Sequence, residues 1–260
     1  MKLLFIGDIV GRPGRRIIKT VLKDIVQSEG IELVIANGEN AAGGFGLSAE
    51  VSRELLYAGI DVITLGNHTW DNREINQILE REARVVRPAN YPPGTPGRGY
   101  YLARTVKGEL VAVVNLLGIV FLEPLASPFE TADELIAEIT PQTNKIIVDF
   151  HGEATSEKMA MGWYLDKRVS AVLGTHTHIP TADERILPGG TGYITDVGMT
   201  GPLNSVLGID PAIVIQKFLT KRPVRFEVAS GPIELNAVLL TLNDAGFTEQ
   251  IQRIRRRIEV

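Results

Sequence analysis

The chain has 260 residues, 44% apolar and 22% charged, with 26 Gly and 14 Pro spread through it and a formal charge of −4. This balance excludes intrinsic disorder and low-complexity structure, supplies material for a sizeable core, and leaves no bulk positive charge to carry nucleic-acid binding. The absence of Cys removes disulfides, thiolate nucleophiles, iron–sulfur clusters and Cys-based zinc sites together.

The first apolar run, Leu3 to Ile6, meets Gly7-Asp8 and is too short for a signal peptide. No apolar stretch approaches the ~20 residues that span a bilayer, so a cytoplasmic protein without membrane contact is expected. The run reads as a buried strand entering a loop. After Gly11-Arg12-Pro13-Gly14, the positions Ile17, Ile18, Val21, Leu22, Ile25 and Val26 share one helical face. Leu33 to Ala36 is a second strand, followed by Asn37-Gly38-Glu39-Asn40. Ser48 is placed to cap a helix running to Tyr57, with Gly59 as its stop. Ile60 to Leu65 is a third strand, ending in Gly66-Asn67-His68. The βαβαβ order predicts right-handed crossovers and a parallel sheet covered by helices.

The second half has more antiparallel character. Tyr100 to Thr105 and Leu110 to Leu117 flank Lys107-Gly108 as a hairpin. Ile146 to Phe150 is a buried strand running into His151, and Ala171 to Leu173 leads into Gly174-Thr175-His176-Thr177-His178. Arg185 to Leu187 and Tyr193 to Thr195 flank a Pro-Gly-Gly turn as a second hairpin, and Val238 to Leu242 is a late strand. The pattern of Ile251 to Ile258, with its four Arg, fits a strand or a short helix equally. There is no internal repeat and no linker, so one domain over residues 1–260 is expected.

Five of these strands end in residues able to bind a metal: Asp8, then Glu39 and Asn40, then Asn67 and His68, then His151, then His176 and His178. In open α/β sheets ligands bind outside the carboxyl ends of the strands, so one rim should collect these side chains. All four His of the chain lie in this set, which a satisfied polar core does not explain. Carboxylate, amide and imidazole donors without thiolate suit Mn, Fe or Zn better than a Ca or Mg cage. The donors exceed what one tetrahedral ion needs and suit two ions bridged by a carboxylate, the arrangement that clamps both oxygens of an in-line phosphoryl displacement.

Gly7-Asp8, Gly38-Glu39-Asn40, Gly66-Asn67-His68, Phe150-His151 and Gly174-Thr175-His176-Thr177-His178 resemble the blocks of the calcineurin-like metallophosphoesterase superfamily. The stretches Phe5 to Gly14, Ala36 to Gly44, Gly66 to Asp71 and Asp196 to Pro202 resemble its bacterial YmdB-like branch across essentially the whole chain. The resemblance implies a four-layer αββα sandwich with mixed sheets, two metal ions per chain (Fe or Mn first, Zn third) and phosphodiesterase activity on 2′,3′-cyclic nucleotides. It places Asp8, Glu39, Asn40 and His178 on one ion, and Glu39, Asn67, His151 and His176 on the other. A hydroxide held between the ions would attack phosphorus in line, with His68 as the catalytic acid or charge stabiliser. The usual Asp-x-His block is altered, since Val10 stands two residues after Asp8 and cannot ligate; Asn40 is the implied substitute. Neighbours on a strand point to opposite faces, so Glu39 and Asn40 can both ligate only where the chain has left its strand.

The expected partner is a small phosphoester. No stable nucleic-acid complex and no cofactor besides the metals are expected, and a homo-oligomer is left open. A phosphomonoesterase or nucleotidase, and a non-catalytic nucleotide-binding regulator, remain as alternatives because the metal blocks do not encode the leaving group. Four weaker signals remain. Gly43-Gly44-Phe45-Gly46 lacks the Lys-Ser/Thr of a P-loop and reads as a tight turn, or as a backbone that lets Phe45 approach a base. Arg12 could contact phosphate or be solvated. The Arg residues at 253 to 257 read as a solvated face, and Met159 to Trp163 as core or interface.

Overall fold

In a computed structural model of the protein, which describes residues 1–259, the first half comprises β1 (Lys2–Ile6), α1 (Gly11–Glu29), β2 (Leu33–Asn37), α2 (Ala49–Tyr57), β3 (Val62–Thr64), α3 (Ile75–Arg81) and β4 (Val85–Val86). The middle adds β5 (Tyr100–Arg104), β6 (Leu110–Leu117), α4 (Pro128–Ile139), β7 (Ile146–His151), α5 (Thr155–Tyr164) and β8 (Ala171–Thr175). The chain closes with β9 (Arg185–Ile186), β10 (Gly192–Ile194), β11 (Gly201–Pro202), α6 (Pro211–Thr220), β12 (Ile233–Leu242) and β13 (Thr248–Ile258).

The strands form two mixed sheets. The first runs β11-β12-β1-β2-β3-β4, with β13 paired to β12; β1 to β4 are parallel and β12 is antiparallel to β1. The second runs β5-β6-β7-β8-β10-β9, parallel through its centre with an antiparallel strand at each edge. The period-2 alternation of β1 sets the layers. Leu3 and Phe5 point into a core shared with Val111, Val113, Ile147 and Leu173 of the second sheet. Leu4 and Ile6 point the other way, against Ile17, Ile18 and Leu22 of α1. On the far face of the second sheet, Val114 and Val148 pack with Ile139 of α4 and Met161 of α5. The result is a four-layer αββα sandwich.

Two local expectations are corrected and one open reading is decided. α1 starts at Gly11, so Gly-Arg-Pro-Gly is its first turn, where Pro13 loses no hydrogen bond because the first helical N–H groups are unpaired in any case. The C-terminal segment is a strand paired along β12 from Leu242↔Thr248 to Ile233↔Ile258. The spacing of Ile251, Ile254 and Ile258 looks helical because Ile251 faces the inter-sheet core while Ile254 and Ile258 face α1. The nearby Arg residues do more than solvate a face: Arg253 pairs with Glu184, and Arg255 and Arg257 both pair with buried Glu234. Ser48 caps α2 by accepting from the Val51 N–H at 3.2 Å, as expected. Met161 is core while Trp163 is half exposed.

The end of β1 and the end of β8 are held close to one connecting segment, residues 195–198. A Cβ on Gly7 would sit 1.8 Å from the Gly198 carbonyl oxygen, and one on Gly174 would sit 1.8 Å from that of Thr195. Both contacts are with backbone, which cannot yield as a side-chain tip can. Gly7→Ala is therefore expected to destabilise the metal-free protein by on the order of 3 kcal/mol, read as a lowered midpoint in thermal unfolding. An unchanged midpoint would contradict the close approach.

Candidate metal centre

The collecting rim belongs to two sheets. Asp8, Glu39, Asn40, Asn67 and His68 follow β1, β2 and β3 of the first sheet, whereas His151, His176 and His178 lie at the ends of β7 and β8 of the second. The single-sheet expectation is corrected to this extent: the two sheets pack face to face with these ends adjacent.

Asp8 is fully buried. Its Oδ2 accepts from the His176 backbone N–H at 3.2 Å. Its Oδ1 has no hydrogen-bond partner and lies 3.9 Å from His151 Nδ1 and 4.0 Å from His178 Nε2. β2 ends at Asn37, so Glu39 and Asn40 occupy a turn and both side chains face the centre. Glu39 Oε1 is 3.0 Å from His151 Nε2 and accepts from Asn40 Nδ2 at 3.3 Å, while Oε2 accepts from the His68 backbone N–H at 2.9 Å. Gly66 leaves the required room: a Cβ there would sit 2.4 Å from both Glu39 Oε2 and His151 Nε2. Asn67 Oδ1 and His176 Nδ1 each lie 3.0 Å from His151 Nε2. The Asn40 amide is 3.2 Å from His178 Nε2, and turning that amide over presents its oxygen at the same place. All seven expected metal-binding residues thus converge.

His68 stands beside this cluster. Its Nδ1 is 2.7 Å from Asp71 Oδ2, and its ring meets Phe45 edge-on at 5.0 Å between centroids. Gly43, Gly44 and Gly46 all adopt positive φ, so the turn expectation for this loop holds. It presents Phe45 partly exposed against His68. Arg12 is exposed and makes no ion pair or side-chain hydrogen bond among the described residues.

The electrostatics follow from burial. Burial disfavours charge on His151, but Glu39, Asp8 and Asp149 outweigh it and raise the imidazole to about 9. Burial likewise opposes ionisation of Glu39, and His151 overcomes this, carrying the carboxyl down to about 2. His176 is pushed down to about 3 by burial and by the charge on His151. Burial raises Asp8 and lifts Asp149 to about 6.

These donors fit a cation. A buried carboxylate oxygen without a partner costs free energy unless a positive group meets it, and Asp8 Oδ1 is such an atom. Ligand atoms of Glu39, His151 and His176 all lie within 4.8 Å of one another.

Several supporting residues escaped the reading of the sequence. Thr175 Oγ1 lies 2.8 Å from His151 Nδ1 and donates to Asp149 Oδ1 at 2.6 Å, while Thr64 and Asn37 donate to Asp149 Oδ2. Holding Nδ1 in this way turns Nε2 towards the cluster. A lone Asp inside the apolar run Ile146 to Phe150 was the available signal. Glu153, 3.1 Å from His176 Nε2, had none beyond proximity to His151. His176 and His178 both have left-handed backbone, with φ of +104° and +67°, a strain of on the order of 1–3 kcal/mol each.

The raised His151 sets a pH dependence for the metal-free protein. Its folded value of about 9 exceeds the ordinary 6.5, so its pairing with Glu39 stabilises fully below pH 6.5 and is lost as pH rises through 9. Glu39 is ionised throughout that window. The unfolding midpoint of chelator-treated protein should fall between pH 6.5 and 9, and His151→Gln should flatten this fall. An equal slope in both proteins would rule the pair out as its source.

Comparison with known proteins matches this geometry. The YmdB-like protein family matches residues 4–254. A Bacillus subtilis protein named 2′,3′-cyclic-nucleotide 2′-phosphodiesterase is 50% identical over 98% of this chain and 96% of its own length. Crystal structures of a hypothetical protein from Thermus thermophilus and of a phosphatase from Mycoplasma pneumoniae each superpose with a TM-score of 0.93, at 46% and 37% identity. They cover 99% and 100% of this chain, and 99% and 94% of their own chains. A 5′-nucleotidase precursor from Thermus thermophilus, 14% identical with a TM-score of 0.60, covers all of this chain and 54% of its own, and shares the fold alone. The αββα sandwich is the calcineurin-like fold, and the chain belongs to the YmdB-like family.

Proposed function

We propose that this chain is a metal-dependent phosphoric ester hydrolase that opens 2′,3′-cyclic nucleotides. The observation that carries the reading is the unpartnered, fully buried Asp8 Oδ1 at the centre of an oxygen- and imidazole-rich cluster. The Bacillus subtilis relative named as such a phosphodiesterase, 50% identical over nearly its whole length, supports the choice of substrate. Asp8, Glu39, Asn40 and His178 would hold one cation, and Glu39, Asn67, His151 and His176 the other. Iron and manganese suit this donor set best, with zinc third. When bound, the ions supply Lewis acidity towards the phosphoryl group and lower the pKa of water.

The remaining work falls to the chain. Buried Glu39 has its two oxygens on opposite tasks, one towards His151 and one accepting from the His68 N–H, and so fixes the distance between the cluster and His68. Asp71 Oδ2 lies 2.7 Å from His68 Nδ1 and would accept from Nδ1–H of the imidazolium, whose Nε2–H would be the proton given to the departing ribose oxygen, leaving neutral imidazole. Phe45 covers one side of that imidazole and limits water around it. No described helix is long and apolar enough to cross a membrane.

The test is turnover of 2′,3′-cAMP, 3′,5′-cAMP and p-nitrophenyl phosphate by Mn²⁺-loaded protein, with hydrolysis of the first expected to dominate. His68→Asn should lower kcat by roughly 10²–10⁴-fold with metal content unchanged. Hydrolysis confined to the monoester would move the activity to a phosphatase, and no hydrolysis of any ester would overturn the enzymatic reading.

A further inference from the structure

We infer that Asp196, charge-balanced by the buried Lys158, is a positioning residue that acts through Thr177 to hold His176 and His178 in their ligand geometry. The inference rests on the proposed metal centre and adds to it a residue outside the proposed ligand set.

His176 and His178 flank Thr177, and both have left-handed backbone. Positive φ is uncommon for any residue but Gly, even for His, which tolerates it better than most, so two such residues so close together call for an external hold. If either residue relaxed to the α or β region, its imidazole would swing away from Asp8, Glu39 and Asn40. The hold is visible at the residue between them. Asp196 Oδ2 accepts from the Thr177 backbone N–H at 3.0 Å and from its hydroxyl at 2.8 Å. The other oxygen, Oδ1, accepts from the Gly198 N–H at 2.8 Å. The same loop is tied a second time at Thr181, whose N–H donates to the Asp196 carbonyl at 3.0 Å and whose hydroxyl accepts from the Asp196 N–H at 2.9 Å. Residues 176–181 are therefore closed onto one anchor.

Asp196 is 1% exposed, a burial that an unpaired carboxylate does not tolerate. Lys158 of α5, also 1% exposed, reaches it with Nζ at 2.7 Å from Oδ2. A buried Lys contributes little apolar packing that Leu or Met would not supply. Its value here lies in offsetting the charge of the Asp196 carboxylate, a charge-assisted acceptor for the Thr177 donors. Asp196 also lies in the segment whose carbonyls press on Gly7 and Gly174, so the anchor is fixed to the ends of β1 and β8. The path runs from α5, through Lys158 and Asp196, to Thr177 and the two imidazoles, and touches no reacting atom.

The test uses Thr177→Val and Thr177→Ser in the full chain, leaving the buried ion pair intact. Mn²⁺ affinity is measured by chelator competition, and thermal unfolding is followed in metal-free protein. Loss of the hydroxyl should weaken Mn²⁺ binding about 10-fold or more, the usual effect of removing a group that orients a ligand, while the metal-free midpoint falls only as far as the loss of one partly buried hydrogen bond takes it. Thr177→Ser, which restores the hydroxyl, should recover parental affinity. Unchanged affinity in Thr177→Val, or a Ser variant as weak as the Val variant, would overturn the inference. So would an equal loss of affinity in Thr248→Val, which removes a buried hydroxyl bond to the Ser170 carbonyl away from the centre, because that marks a purely structural role. A parent that binds no Mn²⁺ would instead sink the metal centre on which the inference rests.

Discussion

Four fully buried carboxylates, Asp8, Glu39, Asp149 and Asp196, set the terms for the rest of this structure. Withdrawing them from water is tolerable only where each meets a positive charge or a set of donors. Asp196 has Lys158 and the Thr177 and Gly198 donors. Asp149 is fed by Thr64, Thr175 and Asn37, which lets it support His151 without a cation of its own. Glu39 takes the charge of His151. Asp8 keeps one oxygen unsatisfied. The imbalance falls where the donors of both proposed ions meet, and a cation there would offset it.

The double sheet is what makes this concentration of polar atoms affordable. Leu3, Phe5, Leu33 and Ile35 of one sheet pack on Val111, Val113, Ile147 and Leu173 of the other, and this apolar contact fixes the two sets of strand ends against each other. Small residues then allow the approach: Gly7 and Gly174 admit the backbone at 195–198, and Gly66 admits Glu39 and His151. A hydrophobic contact of this kind is insensitive to the charge state of the site. The frame can therefore persist while protons or ions exchange at its edge.

Part of the backbone strain sits at the same edge. His176 and His178 carry positive φ, as do Gly43, Gly44 and Gly46 around Phe45. In the glycines this conformation is nearly free, whereas in the two imidazole-bearing residues it must be held by hydrogen bonds. The site thus has one wall that is conformationally cheap, beside His68, and one that is braced from behind by a buried ion pair.

Much of this was legible in the residues alone. The alternation of β1, the short apolar runs of β2, β7 and β8, and the polar residues placed after them identified the strands and the donor set, because strand ends in α/β proteins are where chemistry collects. The departure from β2 before Glu39 was readable from the adjacency of Glu39 and Asn40, which can both ligate only off the strand. Tertiary structure alone decided that the donors come from two sheets, since pairing partners such as β12 and β13 lie far from β1 in the chain. It decided that Ile251 to Ile258 is a strand, because Ile251 and Ile254 bury on opposite faces of a sheet whose other strands the local pattern cannot see. It also decided the roles of Asp149, Asp196 and Lys158. A charged residue in an apolar stretch says that something must compensate it, but only the packed fold brings residue 158 to residue 196, and residue 196 to the backbone between two histidines.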